Sequence, residues 1–199
     1  MKIYYLTLVL ALLYSGCDSK HDDPHVEKSS GEVVSEEIDA TLVSKKTYSL
    51  EGAESGFFEV SKQGQKVEVV RGETRLVLFD FFTTWCPACR AVAPHLGSLQ
   101  EKYPNDLKII GVLLEEKKSR KDIRKFKSKY GANYTISIAP DNYKLSNAIA
   151  SLLRMPRNFS IPLLVMFKDG EYFTHYIGAV PEEMIESDIK EALELREAK

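Results

Sequence analysis

The order of periodic segments predicts an α/β fold, a mixed central sheet with helices on both faces and a β-hairpin extension on its N-terminal side. Three observations carry this. Strand-like and helix-like runs alternate from Leu76 to about Leu153, a pattern that layers helices on a sheet. Two further strand runs then flank Lys168-Asp169-Gly170-Glu171, a tight turn that makes them an antiparallel pair. Ahead of Leu76, Gly56–Val60 and Val67–Val70 surround Lys62-Gln63-Gly64-Gln65 and read as a hairpin.

Taken in order, residues 1–16 read as a secretory signal. Lys2 supplies the positive start, Ile3 to Leu13 is apolar, and Ser15-Gly16 follows. The apolar run falls short of the ~20 residues a membrane-spanning helix needs. Ser15-Gly16 directly before Cys17 resembles a bacterial lipobox, in which the cysteine is diacylated and becomes the mature N-terminus; Tyr14 departs from the usual aliphatic residue. An ordinary signal peptide or an uncleaved anchor is the alternative. Asp18 resembles an inner-membrane retention signal. Residues 17–46 are polar, charged and poor in aromatics, which is the composition of a tether; His21 and His25 lie in it. The folded domain is expected over 47–199, its ordered part beginning near Tyr48.

Leu76 to Phe82 is a buried central strand, apolar except for Asp80. A helix follows over Ala91 to Tyr103, with Pro94 expected to bend it. Leu107 to Leu114 is a second buried strand. Lys121 to Tyr130 is a basic amphipathic helix with Ile123, Phe126 and Tyr130 on one face, ended by Gly131. After Ile136–Ile138 comes a helix from Tyr143 to about Leu153. Leu163 to Phe167 and Tyr172 to Ile177 form the second hairpin, and Pro181 opens a last helix to about Glu197.

Composition bounds the function. The chain has 199 residues, 44% hydrophobic and 28% charged, enough for one ordinary core. Its 27 Lys and Arg against 29 Asp and Glu give a net charge of -2, which offers no electrostatic footprint for nucleic acid. Cys17, Cys86 and Cys89 are the three cysteines. With Cys17 used at the terminus, one thiol pair remains, as suits an oxidising compartment.

That pair, in Thr83-Thr84-Trp85-Cys86-Pro87-Ala88-Cys89-Arg90, lies where a strand gives way to a helix. Cys86 at the helix N-terminus meets unpaired N–H groups and the positive end of the helix dipole, which favour a thiolate. Pro87 suits the first turn, since its missing N–H removes no helical bond. Cys89 is placed to attack a mixed disulfide formed on Cys86. A structural zinc half-site or a static bridge would use the same pair. Zinc needs four ligands, and the chain has no second Cys or Cys/His pair, so the pair is read as redox-active, with no metal and no cofactor beyond the Cys86–Cys89 disulfide.

Asp80, Trp85-Cys86-Pro87-Ala88-Cys89, Pro94, Ile161-Pro162, Phe167-Lys168-Asp169-Gly170-Glu171 and Gly178 together resemble the thioredoxin fold over roughly residues 47–195. With the signal, the tether and the early hairpin, the chain is similar to membrane-anchored periplasmic thiol-disulfide oxidoreductases of the TlpA, ResA and CcmG type. The resemblance implies a protein-disulfide reductase of the bacterial cell envelope, lipid-anchored to the inner membrane. In it Cys86 is the nucleophile, Cys89 the resolving thiol, and Asp80 a buried general acid/base below Cys89. It implies a cis Pro162 against the disulfide, with Ile161 pairing its backbone to an extended client. Pro156 is a rival for that place. Trp85 and Pro87 complete the client-binding set, Trp85 packing beside the ring and limiting access; Thr84 and Arg90 flank the motif.

Implied partners are protein disulfide clients such as apocytochrome c in cytochrome c maturation, and a membrane electron donor of the DsbD or CcdA kind. Ala88, which offers no charge, together with Asp80 and Ile161 favours a reductant. Two alternatives stay open: an oxidase or isomerase of the DsbA/DsbC kind, and a copper-site assembly factor for cytochrome oxidase. The copper reading would use both cysteines with His175, the one histidine at a plausible separation, since His95 lies on the active-site helix itself.

Overall fold

The computed structural model describes residues 44–194. The expectations for the signal, for Cys17 and for the tether fall outside the described residues, apart from the tether's last three positions.

Among the described residues, eight strands and four helices follow in the order β1 (Lys46–Gly52), β2 (Gly56–Gln63), β3 (Lys66–Val69), β4 (Leu76–Phe82), α1 (Pro87–Lys102), β5 (Leu107–Leu113), α2 (Arg120–Tyr130), β6 (Thr135–Ser137), α3 (Asp141–Leu152), β7 (Leu163–Lys168), β8 (Glu171–Ile177) and α4 (Glu182–Glu194). The strands form one sheet in the order β3-β2-β1-β6-β5-β4-β7-β8. It is mixed, as the segment order predicts: β4 runs parallel to β5 and β5 parallel to β6, while β7 runs antiparallel to both β4 and β8. β1, which was not anticipated as a strand, joins the hairpin to the sheet. It pairs with β2 along its whole length, and with β6 at Gly52 opposite Ser137.

All seven residues of β4 are buried, because helices and strands cover both faces. Alternation sends Leu76, Leu78 and Phe82 into a core shared with α1, α2 and α4. Val77, Phe79 and Phe81 enter a second core with Leu145 and Ile149 of α3 and with Tyr48, Leu50, Val60 and Val67 of the N-terminal strands. Edge strand β3 reaches across to the far hairpin, where the Val67 N–H donates to the Gly170 carbonyl at 2.8 Å. Arg75 pairs with Asp169 beside that contact.

Helix α1 starts at Pro87, four residues earlier than its apolar pattern indicates, since Cys86 caps it and proline at N1 fits its first turn. It continues through Pro94, which leaves the Arg90 carbonyl without its usual helical donor. A Cβ on Gly97 would lie 2.0 Å from the Gly131 carbonyl oxygen, so glycine lets α1 rest on the end of α2. α2 is closed by a Ser119/Asp122 capping box and by Gly131 at φ 62°. Asn142, buried at the start of α3, donates to the carbonyls of Leu113 and Ser137 and accepts from the Ser137 hydroxyl. It thereby ties α3 to β5 and β6.

Candidate redox site

The site lies past the C-terminal end of β4, at the N-terminus of α1. Cys86 is the N-cap, with extended backbone (φ -68°, ψ 120°), and its Sγ accepts the Cys89 N–H at 3.2 Å. Cys89 sits one turn in, on the face of α1 packed against the sheet, and is 1% exposed. Both are free thiols, and both are buried. Trp85, next to Cys86 in the chain, is 62% exposed, its ring offered to solvent beside the site. Pro87 is likewise exposed.

Across from the cysteines, the Ile161–Pro162 bond is cis. The Cys86 thiol faces the Ile161 carbonyl at 3.8 Å. The Pro162 carbonyl accepts the Gly178 N–H at 2.8 Å, which fixes the start of β7 against the end of β8. Pro156 has no cis bond, so the rivalry is resolved in favour of Pro162.

Asp80 shares the face of β4 that meets α1, and is 1% exposed. Its Oδ2 accepts the Tyr134 hydroxyl at 3.0 Å, while its Oδ1 is buried without a hydrogen-bond partner. Burial pushes the carboxyl up to about 7, the Tyr134 bond pulling the other way. Burial also pushes the Cys89 thiol well above the ordinary cysteine range. The contact with Cys86 and the Asp80 charge add to this, and the Thr83 backbone opposes it. A reluctant thiol and an acid that titrates near neutrality therefore face each other.

The loop before Cys86 is clamped at one peptide. The Thr84 N–H donates to the Glu115 carboxylate, and the Thr84 carbonyl accepts the Arg90 Nε–H at 2.8 Å. Arg90 also lies over the Tyr130 ring, 5.4 Å from its centre. Burial works against the charge on Glu115, but bonds from Thr84 and Lys118 outweigh it and hold the carboxyl below the usual range. Thr84 and Arg90 thus hold each other, an internal role that their flanking positions did not reveal.

His175 pairs across the sheet with Val165, whose side chain belongs to the α3-side core, and its Nδ1 meets the Tyr172 hydroxyl at 2.7 Å. It therefore faces away from α1 and the cysteines. His95 is turned to the Val180 carbonyl at 3.3 Å. Among the described residues no cluster of three or more His, Cys, Asp or Glu could hold a metal.

The comparisons agree with this geometry. The thioredoxin family profile matches residues 57–128. Thioredoxin 1 of Synechococcus elongatus is 30% identical over 105 residues, covering 53% of this chain and 68% of that protein. The chain belongs to the thioredoxin family. A thioredoxin of Porphyra purpurea is 27% identical over 131 residues, 66% of this chain and 92% of that protein. Among solved structures, a thiol:disulfide interchange protein DsbE from Chlorobium tepidum superposes with a TM-score of 0.54 at 23% identity, over 74% of this chain and 94% of its own. The thioredoxin-family match takes in Asp80, both cysteines, Arg90 and Glu115, and ends before Tyr134 and Pro162.

Two site residues escaped the sequence reading. Glu115 was recoverable in principle: β4 and β5 are parallel with Phe82 opposite Leu113, which carries Thr84 and Glu115 out of the sheet side by side. Tyr134 follows the cap of α2 with no local pattern to mark it.

Proposed function

We propose that the chain is a thiol-disulfide oxidoreductase of the bacterial cell envelope that reduces protein disulfides, with apocytochrome c as its client in cytochrome c maturation. The observation that carries the redox reading is that Cys86 accepts the Cys89 N–H while buried Asp80 lies close enough to Cys89 for its charge to act on that thiol. Cys86 is the outermost of the three, beside the cis Pro162 turn. The envelope location is supported by the apolar start and by Cys17, proposed as a lipid anchor to the inner membrane. No helix among the described residues is long and apolar enough to cross a membrane.

In the reducing direction the Cys86 thiolate attacks a client disulfide. A Cys86–client bond forms, and the other client sulfur leaves as a thiolate that takes a proton from water. Cys89 gives its proton to Asp80 and attacks the Cys86 sulfur. The Cys86–Cys89 bond forms, the client bond breaks, and the second client sulfur leaves and is protonated. The client gains two electrons and the dithiol loses two; Asp80 then releases its proton. A membrane donor of the DsbD or CcdA kind would restore the dithiol. The exposed Trp85 and Pro87, with the Ile161 backbone, would line the approach of an extended client.

The reducing direction is supported by Ala88, which adds no charge and no side-chain hydrogen bond beside Cys86. Thioredoxin-like sites range from about -270 mV to about -120 mV, and a reductant of this kind would lie toward the lower end. The position of His175 on the other sheet face removes the ligand on which copper binding would depend.

Trapping tests the proposal. The full chain carrying Cys89→Ser should accumulate mixed disulfides through Cys86, with a c-type apocytochrome among the captured clients. The double variant Cys86→Ser/Cys89→Ser should capture none. Equal recovery with both variants would refute the mechanism, and capture of unrelated clients only would refute the cytochrome assignment.

A further inference from the structure

We propose that Tyr134 is a positioning residue for the resolving step: its phenol pins Oδ2 of Asp80 and leaves Oδ1 as the oxygen that exchanges a proton with Cys89. This rests on the reading of Asp80 as the base for Cys89.

The arrangement begins at Gly111. On β5 it lies directly opposite Asp80 of β4, and on its other side it pairs with Ile136 of β6. A Cβ there would sit 3.0 Å from Ile136 Cγ1, 3.1 Å from Phe82 Cε1 and 3.1 Å from Tyr134 Cε2. The missing side chain is therefore a slot beside Asp80, and the Tyr134 ring fills it. Tyr134 is 3% exposed and directs its hydroxyl to Oδ2 at 3.0 Å. Oδ1 is buried and has no hydrogen-bond partner, an arrangement that is costly unless the oxygen has a use.

The chemistry favours this division. A phenol that keeps its proton can only donate to the pinned oxygen. Burial first, and then the Asp80 charge, push the ionisation of Tyr134 well up, so it remains a donor. It can donate to Oδ2 whether or not Oδ1 carries a proton, so the carboxyl need not turn as that proton comes and goes. The bond is stronger to the carboxylate than to the neutral acid, and so it opposes the effect of burial. Tyr176 of β8 also faces this core, but its hydroxyl donates to Asp188 of α4. From α1 the cysteines face the site. The strand neighbours of Asp80 are Gly111 and Leu164, while α2 and α4 present Phe126, Ile185 and Ile189 to the same core. Cys89 gives its proton to Oδ1, its sulfur bonds to Cys86, and the electron pair of the broken bond leaves with the departing thiol.

Stopped-flow reaction of the reduced full chain with one equivalent of DTNB separates the steps. The first thionitrobenzoate released reports attack by Cys86, and the second reports attack by Cys89 on the adduct. The second rate should rise with pH through the Asp80 titration. Tyr134→Phe should move that midpoint upward by roughly one unit, which slows the second phase about tenfold below the midpoint and leaves the first phase unchanged. Asp80→Asn should abolish the titration, and Asp80→Asn/Tyr134→Phe should match Asp80→Asn alone. A Tyr134→Phe midpoint equal to that of the wild type, with Asp80→Asn still effective, overturns the role of Tyr134 and spares Asp80. A second phase untouched by Asp80→Asn overturns both. Should Tyr134→Phe not fold, the wild-type Tyr134 hydroxyl proton serves instead. It should be protected from exchange in NMR spectra and shift as Asp80 titrates, and a freely exchanging proton overturns the proposal.

Discussion

Asp80 is the charged side chain inside β4, and the core around it would be quieter with an amide. Its folded-state value of about 7 lies above the 3.8 of an unperturbed aspartate, so the folded chain binds more protons than the unfolded chain between those values. The stability linked to this group is therefore fully present below pH ~4 and is lost as pH rises through 7. Asp80→Asn keeps the shape and removes the charge. It should stabilise the reduced protein at pH 8 by up to roughly 4 kcal/mol, with the gain fading toward zero near pH 4. Urea denaturation at the two pH values checks this, and an equal effect at both would mean that Asp80 titrates normally. The same substitution should slow the resolving step, so stability and turnover move in opposite directions at one residue, as strained functional positions often do.

At the scale of elements, the site depends on two strand ends and one helix start held in register. Glu115 leaves β5 and receives the Thr84 N–H where β4 gives way to α1, while Arg90 returns from α1 to the Thr84 carbonyl. Glu115→Ala should release this clamp. Attack by Cys86 on DTNB should slow roughly three- to tenfold, with a stability loss of about 1–2 kcal/mol, the worth of a hydrogen bond to a charged group. An unchanged first phase would show that the clamp is unnecessary. Most elements were legible because hydrophobic period and breakers agree: the unbroken apolar run of β4, Gly131 as the cap of α2, and Asp169-Gly170 in the β7–β8 turn. β1 was missed although Tyr48 and Leu50 alternate with exposed Thr47 and Ser49, since seven residues of mixed polarity after a polar segment look like more of it. The start of α1 was misplaced because its first turn carries capping chemistry in place of apolar period. The redox motif and the cis proline were readable from spacing and resemblance. Tyr134 was not, because its role exists only through a glycine on a neighbouring strand.

For the whole molecule, β4 organises everything else. Both of its faces are covered, its parallel neighbour aims Glu115 at the motif, and its antiparallel neighbour β7 brings Pro162 back beside Cys86. The N-terminal strands close the α3-side core and meet the far hairpin at Gly170, so the sheet carrying the site is braced from both ends. Such a frame suits a reaction that exchanges one S–S bond for another with little movement of the backbone. The most direct test is to equilibrate the full chain in dithiothreitol and glutathione redox buffers, alkylate it, and read the state of Cys86 and Cys89 by peptide mass. The two sulfurs should pass together through a single two-electron transition, with a midpoint nearer -270 mV than about -120 mV. Sulfurs that stay alkylatable in every buffer, or that oxidise independently of each other, would contradict the account.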